Sequence, residues 1–170
     1  MPTTTHSKPE AVLVKEAKAE ALVRDPGCLI RLLADADETG GALTANRSTF
    51  GAGADGAPPH FHTYASELFF VLSGKLQVLV DDRVTILTAG DTLVAPPYVP
   101  HAFAAAPGHE ADVLFVFTPG RERFEYYRLL DRLHGGEATL QEILDTQERF
   151  DNHYVESPAW RAARSRRHVV

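Results

Sequence analysis

The feature that most constrains this chain is a series of short apolar runs between residues 42 and 118. The runs are rich in Val, Leu, Phe and Thr, and they read ALTANRSTF, SELFFVL, KLQVLV, VTIL, DTLVAP, HAFAAA and ADVLFVF. They recur about every 8 to 12 residues, which is the spacing of strands in an antiparallel sandwich or barrel. The connecting pieces SGK, DDR and AGD favour tight turns, because Gly and Asp tolerate a positive φ or bond their own backbone. No helical pattern interrupts the block, so the sequence predicts an all-β fold.

The regions on either side differ from this block and divide the 170-residue chain into three parts. Residues 1–10 contain two prolines and three threonines and are predicted to be a flexible lead. Residues 11–120 are assigned to the β-barrel, although the stretch AVLVKEAKAEALVR at 11–24 fits a helix or an edge strand equally well. Residues 121–170 are predicted to be a helical extension that ends in a basic tail.

Two amphipathic helices are predicted in this C-terminal part. In PGRERFEYYRLLDRLHGG, apolar residues recur at three-residue steps on one face, and a Gly pair ends the pattern. A second helix is predicted to begin at TLQE, where Thr139 and Glu142 fit a capping box. We expect both helices to pack on the outside of the β block. The apolar face of the first helix consists of Phe124, Tyr127, Leu130 and Leu133.

Charge and composition exclude several classes of function. The formal net charge is -6, whereas nucleic-acid binding usually requires a basic face; the basic run RAARSRRH at the C-terminus is interpreted as a solvated tail. Cys28 is the only cysteine, so neither an intrachain disulfide nor a cysteine-based metal cluster can form. The N-terminus lacks the pattern of a secretory signal, and no apolar run approaches the about 18 residues that span a bilayer. We therefore expect a cytoplasmic protein without nucleic-acid or membrane partners.

The side chains that could bind a metal or take part in catalysis are concentrated in PPHFHTYASELFF, at positions 58–70. Residues two apart on a strand share a face, so His60 and His62 project the same way. Glu67 opens an apolar strand, and a lone carboxylate in an apolar interior is costly unless it is paired or bound to a cation. A divalent metal ion held by the two histidines would remove that cost.

A fourth ligand is offered by His101, in the proline-stiffened segment PPYVPHAF. Three histidine nitrogens and one carboxylate oxygen suit a single divalent transition metal, that is Fe, Ni, Co, Mn, Cu or Zn. A structural zinc site is more usually closed by cysteines, so an open and reactive site is favoured. Four aromatic residues near these positions are candidates for the pocket, and Tyr64 and Tyr98 could gate substrate entry. The four are Tyr64, Phe69, Tyr98 and Phe103.

The segments 53–74 and 90–105 resemble the two sequence motifs of the cupin superfamily. The first motif reads G-x5-H-x-H-x(3,4)-E-x6-G and the second reads G-x5-P-x-G-x2-H-x3-N. Ala54 stands where the first motif has its opening glycine, with Gly53 and Gly56 nearby. Tyr98 stands where the second motif has its middle glycine, and Ala105 stands where it has asparagine, so these departures lie outside the ligand set. The matching residues are His60, His62, Glu67 and Gly74 in the first motif and Gly90, Pro96 and His101 in the second.

The resemblance implies a cupin-type double-stranded β-helix, also called a jelly-roll barrel, in which His60, His62, Glu67 and His101 bind the metal. The Pro-Gly and Phe-rich helix after residue 118 is similar to the end of the barrel in quercetin dioxygenase-like cupins. By that analogy we expect an oxidoreductase, a dioxygenase that combines O2 with a small aromatic or enolisable substrate and uses Glu67 as both ligand and catalytic base. A non-redox cyclase or isomerase and a non-catalytic small-molecule-binding cupin are the alternatives. Small cupins commonly pair through their barrel edges, so a homodimer is expected.

Overall fold

The predicted strand block forms two antiparallel sheets in the computed structural model, which describes residues 10–24 and 27–165. The structure confirms the expected all-β barrel. Within the described residues the strands are β1 (Glu20–Arg24), β2 (Cys28–Ala34), β3 (Thr44–Phe50), β4 (His60–Phe61), β5 (Ser66–Val80), β6 (Arg83–Thr88), β7 (Thr92–Ala95), β8 (His101–Ala105), β9 (Ala111–Thr118) and β10 (His153–Tyr154).

The long strand β5 belongs to both sheets and joins them into a barrel. Its first half, residues 66–74, pairs with β9 and β7. Its second half, residues 75–80, pairs with β6 and β8. The first sheet continues from β9 through β3 and β2 to β1, and the second continues from β8 through β4 to β10. The space between the sheets is filled mainly by apolar side chains of β5 and β9, which leaves the ends of β4, β5 and β8 to carry polar groups.

The ambiguous stretch at 11–24 contains a single 3-10 turn at Glu16–Lys18, followed by the edge strand β1. Leu22 of β1 is buried whereas Val23 is 72% exposed, which is the alternation of a strand with one face on a core. The strand alternative is therefore the correct one for its second half. The predicted lead lies outside the described residues apart from residue 10, and so does the basic tail beyond residue 165.

The C-terminal part contains the two predicted helices and returns to the barrel after them. Thr139 and Glu142 form the predicted capping box, in which each side chain accepts from the backbone N–H of the other residue. The apolar faces of the helices pack on β1 and β2, outside the barrel as expected. Tyr154 of β10 then pairs with His60 of β4. The helices are α1 (Phe124–His134), α2 (Leu140–Asp145), α3 (Gln147–Phe150) and α4 (Pro158–Ser165).

None of the helices in the described part of the chain has both the length and the apolar character needed to cross a membrane.

Candidate metal centre

The structure brings the four predicted ligand residues together between the two sheets. His60 on β4 is the register partner of His101 on β8, so two of the imidazoles come from one sheet. Glu67, near the start of β5, lies in the other sheet opposite β7 and β9. All four side chains are at most 3% exposed, and their candidate ligand atoms lie within 4.8 Å of one another.

Each of the three imidazoles is held in one tautomer by a backbone carbonyl. A carbonyl oxygen only accepts hydrogen bonds, so the Nδ1 atom that contacts it must carry the proton. In the neutral ring the Nε2 atom is then unprotonated and has a free lone pair. This arrangement is common behind metal-binding histidines, because it orients the ring and raises its basicity. The Nδ1 contacts are 2.7 Å from His60 to Pro58 O, 2.5 Å from His62 to Asp151 O and 2.9 Å from His101 to Val99 O.

The three Nε2 atoms converge on a single carboxylate oxygen. Glu67 Oε2 lies 3.0 Å from Nε2 of His62, 2.8 Å from Nε2 of His101 and 3.9 Å from Nε2 of His60. An ionised carboxylate and the Nε2 atom of a neutral imidazole are all acceptors, so they repel one another at these distances unless a cation lies among them. The donor set therefore fits a metal ion better than it fits four isolated side chains.

The pKa shifts favour the protonation states that a metal requires. Burial lowers the pKa of His62 and, together with the neighbouring imidazoles, lowers that of His60 well below the ordinary value. Burial alone would raise the pKa of Glu67, whereas a hydrogen bond donated by a protonated imidazole of His101 or His62 holds it well below its ordinary range. When the imidazoles are neutral, a cation among the ligand atoms would lower it in the same direction. Near neutral pH, His60 and His62 are therefore neutral and Glu67 is ionised.

The separations of the ligand atoms also match those around one ion. Atoms bound about 2.1 Å from an ion lie about 3.0 Å apart at right angles and about 4.2 Å apart across it. The distances from Glu67 Oε2 to the three histidines, 2.8, 3.0 and 3.9 Å, lie within or close to this range. His60, His62, Glu67 and His101 could thus hold one divalent transition metal ion.

A cavity of about 860 Å³ opens beside these residues. His60 and Glu67 reach its wall, whereas His62 and His101 lie behind it. The rest of the wall comes partly from the barrel and partly from the C-terminal extension, which therefore contributes to the site. Its aromatic and apolar lining includes Phe50, Phe103 and Phe117 from the barrel and Tyr126, Tyr127 and Ile143 from the helices.

The four predicted pocket residues are placed differently from one another. Phe103 lines the cavity. Phe69 is fully buried in the core, with its ring 5.8 Å from that of His101, and it supports a ligand without facing the cavity. Tyr64 and Tyr98 are 50% and 69% exposed and lie outside the cavity lining. Their role in substrate entry stays a prediction.

Tyr98, which stands where the second motif has its middle glycine, has a left-handed backbone conformation. Its φ is +66°, in the left-handed region that a bulky side chain rarely adopts. Its backbone N–H donates to the carbonyl of His62 at 2.7 Å, so this turn is tied directly to a ligand residue. The turn at Tyr98 therefore has a backbone conformation that glycine adopts readily.

Asp151 organises the ligand loop, although no sequence motif marks it as a functional residue. Its buried carboxylate accepts hydrogen bonds from the backbone N–H groups of Thr63, Tyr64 and Ala65 and from the Thr63 hydroxyl. Its carbonyl accepts the Nδ1 proton of His62. The contacts connect positions 86 to 89 residues apart, and no periodicity or motif marks a pairing at that distance.

The sequence and the fold are similar to those of known proteins. The model of the Cupin domain family matches residues 46–118, from β3 to β9. A search of the curated proteins gave no match. Among solved structures, KdgF from Halomonas sp. is 23% identical over 66% of this chain and 96% of its own, with a TM-score of 0.57.

Two further solved structures have the same fold. An RmlC-like cupin from Shewanella frigidimarina is 25% identical over 68% of this chain and 96% of its own, with a TM-score of 0.56. The polyketide cyclase RemF from Streptomyces resistomycificus is 23% identical over 74% of this chain and 98% of its own, with a TM-score of 0.52. Each of these similarities leaves a part of this chain without a counterpart, because they cover 66%, 68% and 74% of it.

Proposed function

Because residues 46–118 of this chain match the Cupin domain family, we propose that it is a metal-dependent enzyme acting on a small molecule in the cavity beside His60 and Glu67. One observation carries the proposal. Three imidazoles are fixed with their Nδ1 protons on carbonyls, and their Nε2 atoms converge on a carboxylate at the wall of a large cavity. A cluster needed only for stability would gain nothing from directing acceptors at one another beside a cavity.

The proposed ligands are His60, His62, Glu67 and His101, and the ion is Fe, Ni, Co, Mn, Cu or Zn. When bound, it would supply Lewis-acid activation of an enol or phenol oxygen. The chain's own contribution is a rigid and buried frame, since the carbonyl contacts fix the orientation of every imidazole before the metal arrives.

We propose dioxygenation of a small aromatic or enolisable compound as the reaction. The cavity supports this assignment through its size and its aromatic wall, in which Phe50, Phe103 and Phe117 can pack against a planar substrate and exclude water. Glu67 would accept the proton of the enol or phenol. Its lowered pKa makes it a weak base, so the transfer requires a substrate oxygen whose own acidity has been increased.

A metal-dependent cyclase or isomerase is the second candidate. The polyketide cyclase RemF covers 74% of this chain, and the same ligands and cavity could position a flexible substrate for a reaction without O2. A non-catalytic binding protein would use the cavity with no turnover.

Oxygen uptake by the reconstituted protein tests the proposal. Metal-free protein is loaded separately with each of the six metals and mixed with a flavonol, a catechol and a 1,3-diketone, while O2 consumption and product formation are recorded. We expect substrate-dependent O2 uptake with at least one redox-active metal and none with zinc. Glu67→Gln should reduce turnover strongly, whereas Glu137→Gln, exposed in the connection between α1 and α2, should not.

Other outcomes identify the alternatives. Product formation without O2 uptake would assign a cyclase or isomerase, and binding without any product would assign a binding protein. Unchanged turnover in Glu67→Gln would show that Glu67 is not the base.

A further inference from the structure

A buried positive charge without a carboxylate partner faces the same cavity. Arg123 lies at the start of α1, is 3% exposed and lines the cavity. No carboxylate of the described residues forms an ion pair with its guanidinium within 4.0 Å. Nη1 donates to the carbonyl of Phe150 at 2.9 Å and Nη2 donates to Asn152 Oδ1 at 3.3 Å. Its Nε has no hydrogen-bond partner in the described structure, and burial of an uncompensated charge is costly.

Asn152 offers a second unused donor on the same wall. It is 3% exposed and lines the cavity together with Arg123. Its Oδ1 is occupied by the guanidinium, whereas its Nδ2 has no partner among the described residues. Buried donors are nearly always paired, so two unpaired donors at one cavity indicate a ligand that accepts from both.

The surroundings keep Arg123 charged and in place. Its Cζ lies 4.1 Å from the ring centroid of Phe117 and 5.4 Å from that of Tyr126, which are cation–π distances. Burial works to lower the pKa of Arg123, but Tyr127 and Glu67 outweigh it and raise that pKa above its ordinary value. The guanidinium is therefore a permanent cation in the cavity wall.

The charges in the cavity require an anion once the metal site is filled. A divalent ion contributes two positive charges, Arg123 adds a third, and Glu67 removes one. Asp55 also lines the cavity, but its side chain is 72% exposed and pairs with Arg164 at 2.9 Å. A negatively charged ligand such as a carboxylate would reduce this excess of positive charge.

We propose that Arg123 and Asn152 form an anion-binding subsite and that the substrate is a small aromatic or enolisable acid. Its carboxylate accepts from the Arg123 Nε and the Asn152 Nδ2 after these side chains rotate toward the cavity, because both atoms are almost fully covered in the present conformation. Its reacting end faces Glu67 and the metal ligands. A carboxylate has two acceptor oxygens in a plane and suits such donors better than a neutral group does. The identity of the reacting end rests on the proposed function, whereas the subsite itself does not.

Binding of matched acids and amides tests the subsite. Benzoate, cinnamate and 1-naphthoate are compared with their primary amides by calorimetric titration, using metal-free and zinc-loaded protein. We expect at least one acid to bind at least tenfold more tightly than its amide in both forms. Arg123→Gln should abolish that preference, and Arg132→Gln, an exposed arginine of the same helix, should retain it.

Asn152→Asp keeps the test decisive if Arg123→Gln does not fold. The new carboxylate would pair with the guanidinium, so it should raise the melting temperature and abolish acid binding while the metal content stays at the wild-type value. If the subsite has no ligand-binding role, Asn152→Asp should raise the melting temperature but leave acid binding unchanged.

The results separate this inference from the proposed enzyme activity. Equal affinity for acids and amides, failure of all three acids to bind, or a preference that survives in both variants would overturn the subsite. A preference that depends on Arg123 and persists in metal-free protein would support it even if no turnover is found with any metal.

Discussion

Replacement of Asp151 by asparagine should weaken metal binding without removing a ligand. Its carboxylate holds the backbone of Thr63, Tyr64 and Ala65, the loop that connects His62 to Glu67. Asparagine retains one acceptor oxygen and presents an NH2 group to donors that previously faced the other oxygen. It also tolerates the left-handed backbone at this position, where φ is +52°, so the change is confined to the side chain.

The magnitude follows from the bonds that are lost. Oδ2 accepts from Tyr64 N at 3.0 Å and from Ala65 N at 3.3 Å, and each buried donor left unpaired costs about 1–3 kcal/mol. We expect the free energy of unfolding of the metal-free protein to fall by about 2–6 kcal/mol. At about 2–4 °C for each kcal/mol in a domain of this size, the melting temperature should fall by about 4–24 °C. The affinity for metal should fall about 10- to 100-fold.

The assay is chelator competition for Zn²⁺ and Co²⁺, combined with thermal unfolding of metal-free protein. Asp81→Asn is the matched control, because Asp81 also has a left-handed φ, of +53°, and is exposed in the β5–β6 turn. It should change neither quantity appreciably. If Asp151→Asn lowers stability but leaves the affinity for both metals within twofold of wild type, the idea that this carboxylate positions the ligands is wrong.

Three further predictions concern the ligands, the turns and the assembly. His62→Ala or His101→Ala should reduce the metal content measured by elemental analysis, and His109→Ala, exposed in a loop, should not; full retention in both ligand variants would refute the four-ligand site. Gly74→Ala should destabilise the protein by at least about 2 kcal/mol more than Gly90→Ala in urea unfolding. Both glycines have a positive φ, but only at Gly74 would an added Cβ collide with a backbone carbonyl, which lies just before β9. Equal losses of unfolding free energy in the two variants would show that this clash is not the cause. Light scattering should give twice the chain mass of 18.6 kDa, and a monomer mass would refute the expected homodimer.

The barrel could be predicted from the sequence because its determinants are local. Turn residues and period-two burial act within a strand and its neighbour, so the strand block and the start of the second helix at Thr139 were found without a structure. The cluster of His60, His62, Glu67 and His101 was found because a short spacing on strands fixes where side chains converge. The first apolar stretch stayed ambiguous until pairing with β2 selected a strand, since tertiary context overrides weak propensity.

The functional residues that could not be predicted from the sequence have contacts with residues far away along the chain. Asp151 reaches a loop 86 residues away or more, and Arg123 depends on Asn152, 29 residues further along the chain. Neither contact has a sequence period, and an arginine after a barrel strand is ordinarily interpreted as a solvated residue. The burial of Arg123 depends on the packing of α1 and β10 beside the cavity.

The division between the matched region and the rest of the chain has a functional consequence. The Cupin domain match ends at residue 118, and all four proposed metal ligands precede that point. Arg123, Asp151 and Asn152 all follow it, yet they hold the ligand loop and complete the wall of the cavity. The barrel thus supplies the proposed metal centre, while the C-terminal extension holds the ligand loop and carries the proposed anion subsite. Relatives that share the barrel should therefore differ in substrate wherever their C-terminal segments differ, even with identical ligands.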